Sequence, residues 1–283
     1  MIFGRKDTSG WTKTPDQLVR MRAAGLVVGR TLGVLADRLR AGLTTADLDD
    51  LARTTILDQG GRPSFPEVPG YRHTLCVSVN DEVVHGVPGA RVIQDGDLVS
   101  VDCGAIVDGW HGDAAISVVC GGPDAGSSED LALIDATEAS LWDGIAALAV
   151  GQPLYAVGAA IEDSIVAAGQ RRDRPFGIVE EYVGHGIGQQ MHEEPQVPNY
   201  RVRDRGPIVR PGLAVAVEPM MTLGSPKTKV LDDEWTVVTR DGSRAAHWEH
   251  TVAVTDGGLW VLTALDGGER QLSARGAAYA PLA

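Results

Sequence analysis

Apolar residues recur at helical spacing near the start of the chain, and continuous or alternating apolar runs follow further on. The stretch Thr14-Pro15-Asp16-Gln17 has the residue types of a capped helix start, and the apolar period behind it continues as far as Gly42. A second helix is predicted over residues 45–59, before Gly60-Gly61. Residues 63–69 are rich in proline, which indicates an irregular loop.

Between residues 73 and 120 the pattern changes to β-branched runs separated by turns that contain glycine. The runs LCVSVN, DLVSVDCGAIV and AAISVVC have the composition of strands. Ser128 is predicted to cap a third helix, the stretch Gly151-Gln152-Pro153 ends it, and a further helix is predicted over residues 154–168. Strand-like sequence then extends from Ile178 to Leu262.

The order helix, helix, strands therefore occurs twice, which predicts a duplicated unit with an α/β (α+β) fold. GDLVSVD, which ends at Asp102, aligns with GLAVAVE, which ends at Glu218. HGDAAISV, which contains Asp113, aligns with HWEHTVAV, which contains Glu249. Each half thus supplies two acids beside or within an apolar strand. Taken singly, each acid could also be a solvated residue at a strand end.

Composition limits the class of protein further. The 283 residues are 43% hydrophobic and 22% charged, as in ordinary globular proteins, and their net charge is −13. Scattered acidic charge disfavours binding to nucleic acid or to an anionic membrane. Three cysteines without a CxxC motif fit a reducing compartment. Because the N-terminal stretch has no secretory apolar region and no run of about 20 apolar residues occurs, we expect a cytoplasmic protein.

The four aligned acids predict a metal site. An ionised carboxylate is costly to bury unless it is paired or coordinated, and neither LVSVDCGAIV nor LAVAV contains a lysine or arginine. A pair of divalent ions held by the carboxylates and one imidazole would satisfy all four acids. Such ion pairs activate water for attack on a carbonyl or phosphoryl centre.

Two histidines lie seven residues apart in the stretch GHGIGQQMHEEP. In a helix, His185 and His192 would share one face, but each of the three glycines would cost about 1 kcal/mol relative to alanine. In a strand they would face opposite sides of the sheet. We therefore predict a loop, or a short strand passing into a loop, in which the two imidazoles have separate roles.

Six stretches in this order, NDEVVHGVP, VDCG, HGD, GHGIGQQMHEEP, EPM and WEHT, closely resemble the type I methionine aminopeptidases. The type II branch has a large insertion between the last two acids, whereas Glu218 and Glu249 are 31 residues apart here. The resemblance implies the pita-bread fold, in which two pseudo-twofold halves form a curved antiparallel sheet flanked by helices. It covers residues 14–265, with halves 14–125 and 126–265, as a single catalytic domain between tails 1–13 and 266–283.

The resemblance also implies a set of ligands and catalytic groups. The residues expected to hold two divalent metal ions are Asp102, Asp113, His185, Glu218 and Glu249, with Asp113 and Glu249 bridging. Cobalt, manganese, iron and zinc all suit such a site, so the metal stays open. His192 is expected to contact the scissile carbonyl without binding metal, His85 to approach the scissile amide, and Glu218 to shuttle a proton. The other histidines are expected to be structural or to support the ligands: His73, His111, His247 and His250.

An apolar slot for the methionine side chain is the third implication. The residues expected to line it are Tyr71, Cys76, Met191 and Trp235, which offer the sulfur and aromatic groups that suit a thioether. Considered alone, Cys76, Met191 and Trp235 could equally be core residues. The chain departs from the usual pattern at Val68, where many relatives have an aromatic residue, and at Arg72, where proline is common. The resemblance therefore leaves tolerance for the residue after methionine undefined.

The implied function is metal-dependent removal of the initiator methionine from nascent polypeptides, by a monomer that contacts the ribosome transiently. One alternative is an Xaa-Pro dipeptidase or an aminopeptidase P, which share the fold and nearly the same ligands. Those enzymes normally carry an additional N-terminal domain, whereas 84 residues precede His85 here. Another alternative is a non-catalytic binding protein of the same fold, which the five intact ligand positions disfavour.

Overall fold

The structure is a computed structural model that describes residues 11–282. Within these residues the helices are α1 (Pro15–Arg38), α2 (Thr45–Asp58), α3 (Ser128–Ala146), α4 (Ala156–Arg171) and α5 (Glu269–Ala274), with 3-10 turns at Phe65–Glu67 and Pro123–Ala125. The strands are β1 (Arg62–Pro63), β2 (Leu75–Val79), β3 (Glu82–Val84), β4 (Leu98–Val107), β5 (Trp110–Val119), β6 (Gly177–Ile178), β7 (Gly184–Gly186), β8 (Glu193–Val197), β9 (Ala214–Val217), β10 (Met220–Thr222), β11 (Thr228–Val230), β12 (Val237–Thr239), β13 (Ala245–His247), β14 (Glu249–Val254) and β15 (Leu259–Val261).

The predicted capped start of α1 is confirmed. The Thr14 backbone N–H donates to the Gln17 side-chain oxygen at 2.8 Å, and the Gln17 N–H donates to the Thr14 hydroxyl at 3.3 Å. These two bonds satisfy N–H groups that have no partner inside the helix. The helix ends at Arg38, earlier than Gly42, because Leu39 already has extended backbone.

The second pair of helices differs from prediction by a few residues. The hydroxyl of Ser127, rather than that of Ser128, caps α3 by accepting from the Asp130 N–H. The further helix, predicted over residues 154–168, forms as α4 and is shifted toward the C-terminus. The predicted loop at residues 63–69 contains the 3-10 turn and the end of β1.

The strands form one main sheet and two small ones, and every pairing between two named strands is antiparallel. The main sheet has the order β1-β4-β5-β14-β9-β7-β8, with β2 also paired to β4 and β15 to β14. The small sheets have the orders β13-β10-β6 and β11-β12-β3. No α-helix within residues 11–282 is both long and apolar enough to cross a membrane.

The predicted duplication is visible at the centre of the main sheet. In the first half β4 pairs with β5, and in the second half β9 pairs with β14. The two halves meet where β5 pairs with β14, with Ala114 opposite His250. These two residues are equivalent in the alignment of the halves, so a local twofold axis passes between them. The arrangement brings the acids of both halves onto four neighbouring strands.

Each half has its own apolar core, and a third cluster lies beside the acids. α1 and α2 pack on the first half through side chains such as Val28, Leu48 and Ile56. α3 and α4 pack on the second half, where Leu141 and Ile161 are fully buried. Burial of one such side chain stabilises the fold by about 1.5–3 kcal/mol. Two helices thus support each half of the sheet from behind.

The segment after residue 265 packs on the rest of the molecule. α5 buries Leu272 completely. The Leu259 N–H donates to the Ala278 carbonyl at 2.8 Å, and the Ala280 N–H donates to the Leu259 carbonyl at 3.0 Å. At the other end, Thr12 forms a bridge with Leu213. Most of the predicted tail 1–13 lies outside the described residues, since these begin at residue 11.

Candidate active site

A row of side chains crosses the main sheet on one face. Cys76 on β2 lies opposite Asp102 on β4, and Asp102 lies opposite Ala115 on β5. Ala115 in turn lies opposite Glu249 on β14. Residues that face each other across strands share a face of the sheet, and so do residues two apart along a strand. Asp113, two residues before Ala115, therefore joins this row.

Glu218 and His185 complete the cluster from the next two strands. Glu218 directly follows β9, whose Val217 lies opposite His250, the neighbour of Glu249. The ligand atoms of Asp113, His185 and Glu249 lie within 4.8 Å of one another. The Nε2 atom of His185 lies 3.6 Å from Oε1 of Glu218. The structure thus brings together the five residues predicted to bind metal.

The carboxylates are buried without enough polar partners. Asp113 is 5% exposed and Glu249 is 2% exposed. Among the described residues, no hydrogen-bond partner reaches Oδ1 of Asp102, Oδ1 of Asp113 or Oε1 of Glu249. Burial raises the pKa of Asp102 to about 7. Burial and mutual repulsion raise the pKa values of Asp113, Glu218 and Glu249 well above their ordinary range.

This donor set fits a divalent cation. Buried carboxylate oxygens that converge without donors are stabilised when a cation replaces the missing hydrogen bonds. Nδ1 of His185 lies 2.9 Å from the Gly186 carbonyl, which can only accept, so this nitrogen carries the proton and Nε2 keeps its lone pair. Burial lowers the pKa of His185 to about 4, so the ring is neutral at pH 7. A neutral imidazole with a free Nε2 is a metal ligand.

His192 lies in the turn between β7 and β8, beside the cluster. The stretch GHGIGQQMHEEP therefore forms a short strand, a turn and the start of another strand, as predicted. The rings of His185 and His192 are 4.5 Å apart between centroids and stand edge to face. Burial also lowers the pKa of His192, which favours a neutral imidazole that can donate or accept a hydrogen bond.

His85 follows β3 in a backbone conformation that is rare for residues other than glycine, with φ of 59°. Such conformations persist where the surrounding contacts hold them, and they cluster at functional sites. The next residue is held by two hydrogen bonds: the Gly86 carbonyl accepts from the Val77 N–H at 2.8 Å, and the Gly86 N–H donates to the Ser78 hydroxyl at 3.1 Å. The ring of His85 packs 5.6 Å from that of Tyr182, and burial lowers the pKa of His85 to about 4.

Two adjoining cavities meet at the cluster. The first, of about 150 Å³, is lined by the acids and by an apolar wall formed by Phe65, Val68, Tyr71, Cys76, Val84 and Trp235. The second, of about 400 Å³, is lined by Tyr182, Glu193, Glu194 and Gln196 among others. His85, His185, His192 and Glu218 line both cavities. One apolar slot therefore joins a wider, more polar space at His85, His185, His192 and Glu218.

The structure places three of the four predicted slot residues in the apolar wall. Tyr71 is fixed there by a 2.7 Å hydrogen bond from its hydroxyl to the Leu75 carbonyl, and its ring lies 5.0 Å from Trp235. Met191 is buried but does not line the cavity. Met191 and Phe65 both pack against Gly104. A Cβ added to this glycine would lie 2.6 Å from Met191 Cε and 2.9 Å from Phe65 Cε1.

Of the two departures from the usual pattern, only Val68 lines the slot, and Arg72 is exposed. Sequence reasoning missed Phe65, Val84 and Tyr182. Phe65 falls within the predicted irregular loop, and Val84 reads as an ordinary strand residue. Nothing in the local sequence indicates that their side chains face the acids.

The remaining four histidines line neither cavity, and two of them, His111 and His250, make hydrogen bonds. His247 Nε2 lies 3.9 Å from Oε2 of Glu249, and burial lowers the pKa of His247 to about 3. His111 Nδ1 lies 3.0 Å from the Ser64 hydroxyl, and His250 Nδ1 lies 2.8 Å from the Thr263 hydroxyl. His73 lies 3.8 Å from Asp49, away from both cavities.

Comparison with known proteins gives a consistent set of relatives. Residues 19–256 match the model of metallopeptidase family M24. Methionine aminopeptidase 1 of Mycobacterium tuberculosis is 51% identical over 252 residues, which are 89% of this chain and 94% of that protein. A crystal structure of methionine aminopeptidase from Thermotoga maritima has a TM-score of 0.84 at 36% identity, over 89% of this chain and 98% of that chain. Xaa-Pro dipeptidase from Bacillus anthracis has a TM-score of 0.70 at 21% identity, over 89% of this chain and 62% of that chain. At this identity the likeness is one of fold alone.

Proposed function

Because the chain belongs to metallopeptidase family M24, and within it to the methionine aminopeptidases, we propose that its buried acids and histidines form the centre that removes N-terminal methionine. The expected enzyme class, a metal-dependent aminopeptidase acting on N-terminal methionine, is confirmed by these similarities, and so is the pita-bread fold. The assignment of individual residues that follows is a proposal.

The proposed metal ligands are Asp102, Asp113, His185, Glu218 and Glu249. The observation that carries this proposal is the convergence of buried carboxylate oxygens without hydrogen-bond partners. When all four carboxyl groups are ionised their combined charge is −4, which two divalent ions would balance, and cobalt, manganese, iron and zinc all suit the donors. Asp113 and Glu249 lie on the two central strands of the order β4-β5-β14-β9, so in this proposal they would stand between the other ligands.

Residues of this chain then carry the proton and hydrogen-bond steps. When bound, divalent metal supplies Lewis-acid chemistry, which lowers the pKa of water and polarises a carbonyl. The Glu218 carboxylate accepts a proton from water and returns it to the departing amide nitrogen. The neutral His192 ring donates a hydrogen bond to the scissile carbonyl oxygen as charge develops there. His85, across the same cavity, contacts the departing amide nitrogen.

The apolar slot selects the residue that is cleaved. Tyr71, Cys76 and Trp235 surround a space suited to one unbranched side chain, and sulfur and aromatic groups favour a thioether. The acids line the same cavity as the apolar wall, so the free α-amino group of a substrate in the slot would lie at the centre that these acids form. A substrate with a blocked N-terminus should therefore not be cleaved.

We further propose that the substrates are nascent polypeptides in the cytoplasm, met through a transient contact with the ribosome, and that the enzyme acts as a monomer. The three buried cysteines are all free thiols, which supports a reducing compartment. The acidic net charge of −13 argues against a direct contact with nucleic acid.

A side-by-side peptide assay tests the function. Purified protein is supplied with each divalent metal in turn and offered Met-Ala-Ser, N-acetyl-Met-Ala-Ser and an Xaa-Pro dipeptide. We expect release of methionine from Met-Ala-Ser alone, and loss of that activity with a chelator. Preferential cleavage of the Xaa-Pro dipeptide, or of the acetylated peptide, would overturn the proposal.

A further inference from the structure

A buried lysine near the N-terminus lies close to the turn that carries His192. The Lys13 side chain is 6% exposed, and its Nζ donates to Oε2 of Glu193 at 2.8 Å. The same Nζ donates to the Trp11 carbonyl at 3.3 Å. A buried ammonium must be paired and hydrogen-bonded to be tolerated. Glu193 directly follows His192, so this ion pair joins the start of the described chain to the catalytic turn.

Glu193 uses its second oxygen to close that turn. Oε1 accepts a hydrogen bond from the Gln190 backbone N–H at 3.1 Å. The turn is also tied to the sheet, because the His111 N–H donates to the Gly188 carbonyl at 2.8 Å. The Glu193 carboxylate therefore has a partner inside the turn, the Gln190 N–H at Oε1, and a partner outside it, the Lys13 ammonium at Oε2.

The contact between Lys13 and Glu193 leaves no room for a side chain at Gly188. A Cβ at this glycine would lie 2.6 Å from Oε1 of Glu193 and 2.7 Å from Cε of Lys13. The backbone of Lys13 is fixed as well, since its N–H donates to the Gly212 carbonyl at 2.7 Å, just before β9. The lysine is thus held at both its main chain and its side chain.

We propose that Lys13 is a positioning residue for His192. Its ion pair with Glu193 fixes the turn between β7 and β8, so that the imidazole lies edge to face against His185 and faces both cavities. Lys13 does not line either cavity and acts through Glu193. This inference rests on the catalytic role proposed above for His192.

The test compares Lys13→Met, which keeps an unbranched chain without the charge, with wild-type enzyme on Met-Ala-Ser. A shift of about 1 Å at a catalytic group can cost about a hundredfold in rate, so we expect kcat to fall about tenfold to a hundredfold. KM and bound metal per chain should stay within about twofold, since the slot and ligands are intact. Hydrogen exchange should increase in residues 186–195 and not throughout the protein.

A double-mutant cycle separates positioning from general stability. In a His192→Ala background no imidazole remains to be positioned, so Lys13→Met should lower kcat by less than about twofold. The matched control is Arg275→Met, which breaks the partly buried pair of Arg275 with Asp143 far from both cavities. It should lower Tm while leaving kcat unchanged. Glu193→Gln removes the other charge of the same ion pair, so its kcat should fall by as much as that of Lys13→Met. It is the second variant to test if Lys13→Met does not fold.

Two results would overturn the inference. One is a wild-type kcat in Lys13→Met or, if that variant does not fold, in Glu193→Gln. The other is a loss of the same size with and without His192. If instead His192→Ala itself keeps full kcat, the catalytic role proposed for His192 fails and this inference fails with it. If kcat falls as expected in His192→Ala but stays at the wild-type value in Lys13→Met, only the positioning role is overturned.

Discussion

At the scale of single residues, the buried acids make the metal-free protein sensitive to pH. The pKa of Asp102 is about 7 in the folded protein, against about 3.9 in an unfolded chain. Its neutral form therefore contributes stability that is fully present below about pH 4 and is lost as the pH rises through about 7. Asp102→Asn has no proton to lose. We therefore expect the difference in Tm, metal-free variant minus metal-free wild type, to increase from pH 5 to pH 8.

The expected change in that Tm difference is on the order of 5 °C. One pKa unit corresponds to about 1.4 kcal/mol, and 1 kcal/mol moves Tm by about 2–4 °C in a domain near this size. Scanning calorimetry in the presence of a chelator measures it. Parallel Tm curves for the two proteins would contradict the argument. With metal restored the order should reverse, because the variant lacks one ligand.

Glu218 and His192 should respond differently to truncation. Glu218→Ala removes a proposed ligand and the proposed proton acceptor, so we expect both bound metal and activity to be lost. His192→Ala should retain the metal and lose kcat by about a hundredfold or more, the usual contribution of such a group. Elemental analysis of the purified variants, beside kcat on Met-Ala-Ser, distinguishes the two. Loss of metal from His192→Ala would contradict its place outside the coordination sphere.

The acids of the candidate site stand out because their sequence context is anomalous, whereas the roles expected of the histidines came from the resemblance. Asp102 interrupts an apolar strand, and Glu218 follows one directly. The cost of burying an ionised carboxylate at these positions predicts a bound cation from the sequence alone. Phe65 and Met191 carried no such signal. Which of two apolar residues lines a cavity and which lies behind it depends on packing between distant segments, here the contact of both residues with Gly104.

At the scale of elements, α1 tolerates a side chain at one glycine and not at another. A Cβ on Gly25 would lie 2.1 Å from the Leu262 carbonyl oxygen, a backbone atom that cannot move alone. Gly33 is exposed on the same helix and has nothing within 4 Å of such a Cβ. Gly25→Ala should destabilise the fold by about 3 kcal/mol or more. Gly33→Ala should stabilise it by about 0.5–1 kcal/mol, because glycine is a poor helix former.

Thermal unfolding of the two variants tests this contrast. Tm should fall on the order of 10 °C for Gly25→Ala and rise by about 2 °C for Gly33→Ala. Since both changes add the same methyl group to the same helix, helix propensity cannot explain opposite signs. A similar Tm for the two variants would show that α1 does not approach residues 262–263 as closely as described.

Helices were easier to predict than the small sheets, for a local reason. Capping residues and apolar periodicity lie within each helix, as at Thr14 and Gln17 of α1. The two small sheets consist of strands of two or three residues, too short to show any alternation. Their pairing joins distant segments, for example Val84 with Val237, so the contacts that stabilise them are absent from the local sequence.

At the scale of the whole molecule, the resemblance placed residues 266–283 in a tail, and we propose that the segment up to residue 282 belongs to the catalytic body. The segment is rich in glycine and alanine and has one short helix, so its pattern gave little sign of packing. Its attachment includes the buried side chain of Leu272, the ion pair of Arg275 with Asp143 on α3, and the backbone bonds of Leu259 with Ala278 and Ala280.

Leu272→Ala tests whether this segment stabilises the whole molecule. The side chain is 0% exposed and belongs to the core of the second half, and truncation of such a leucine costs about 2–5 kcal/mol. We expect Tm to fall on the order of 10 °C, with kcat at 25 °C unchanged because Leu272 lines neither cavity. Ser273→Ala, at the exposed neighbouring position, is the control and should stay within about 0.5 kcal/mol of wild type. Equal Tm values for the two variants would show that the segment is a tail after all, since a detached helix cannot contribute to the cooperative unfolding of the core.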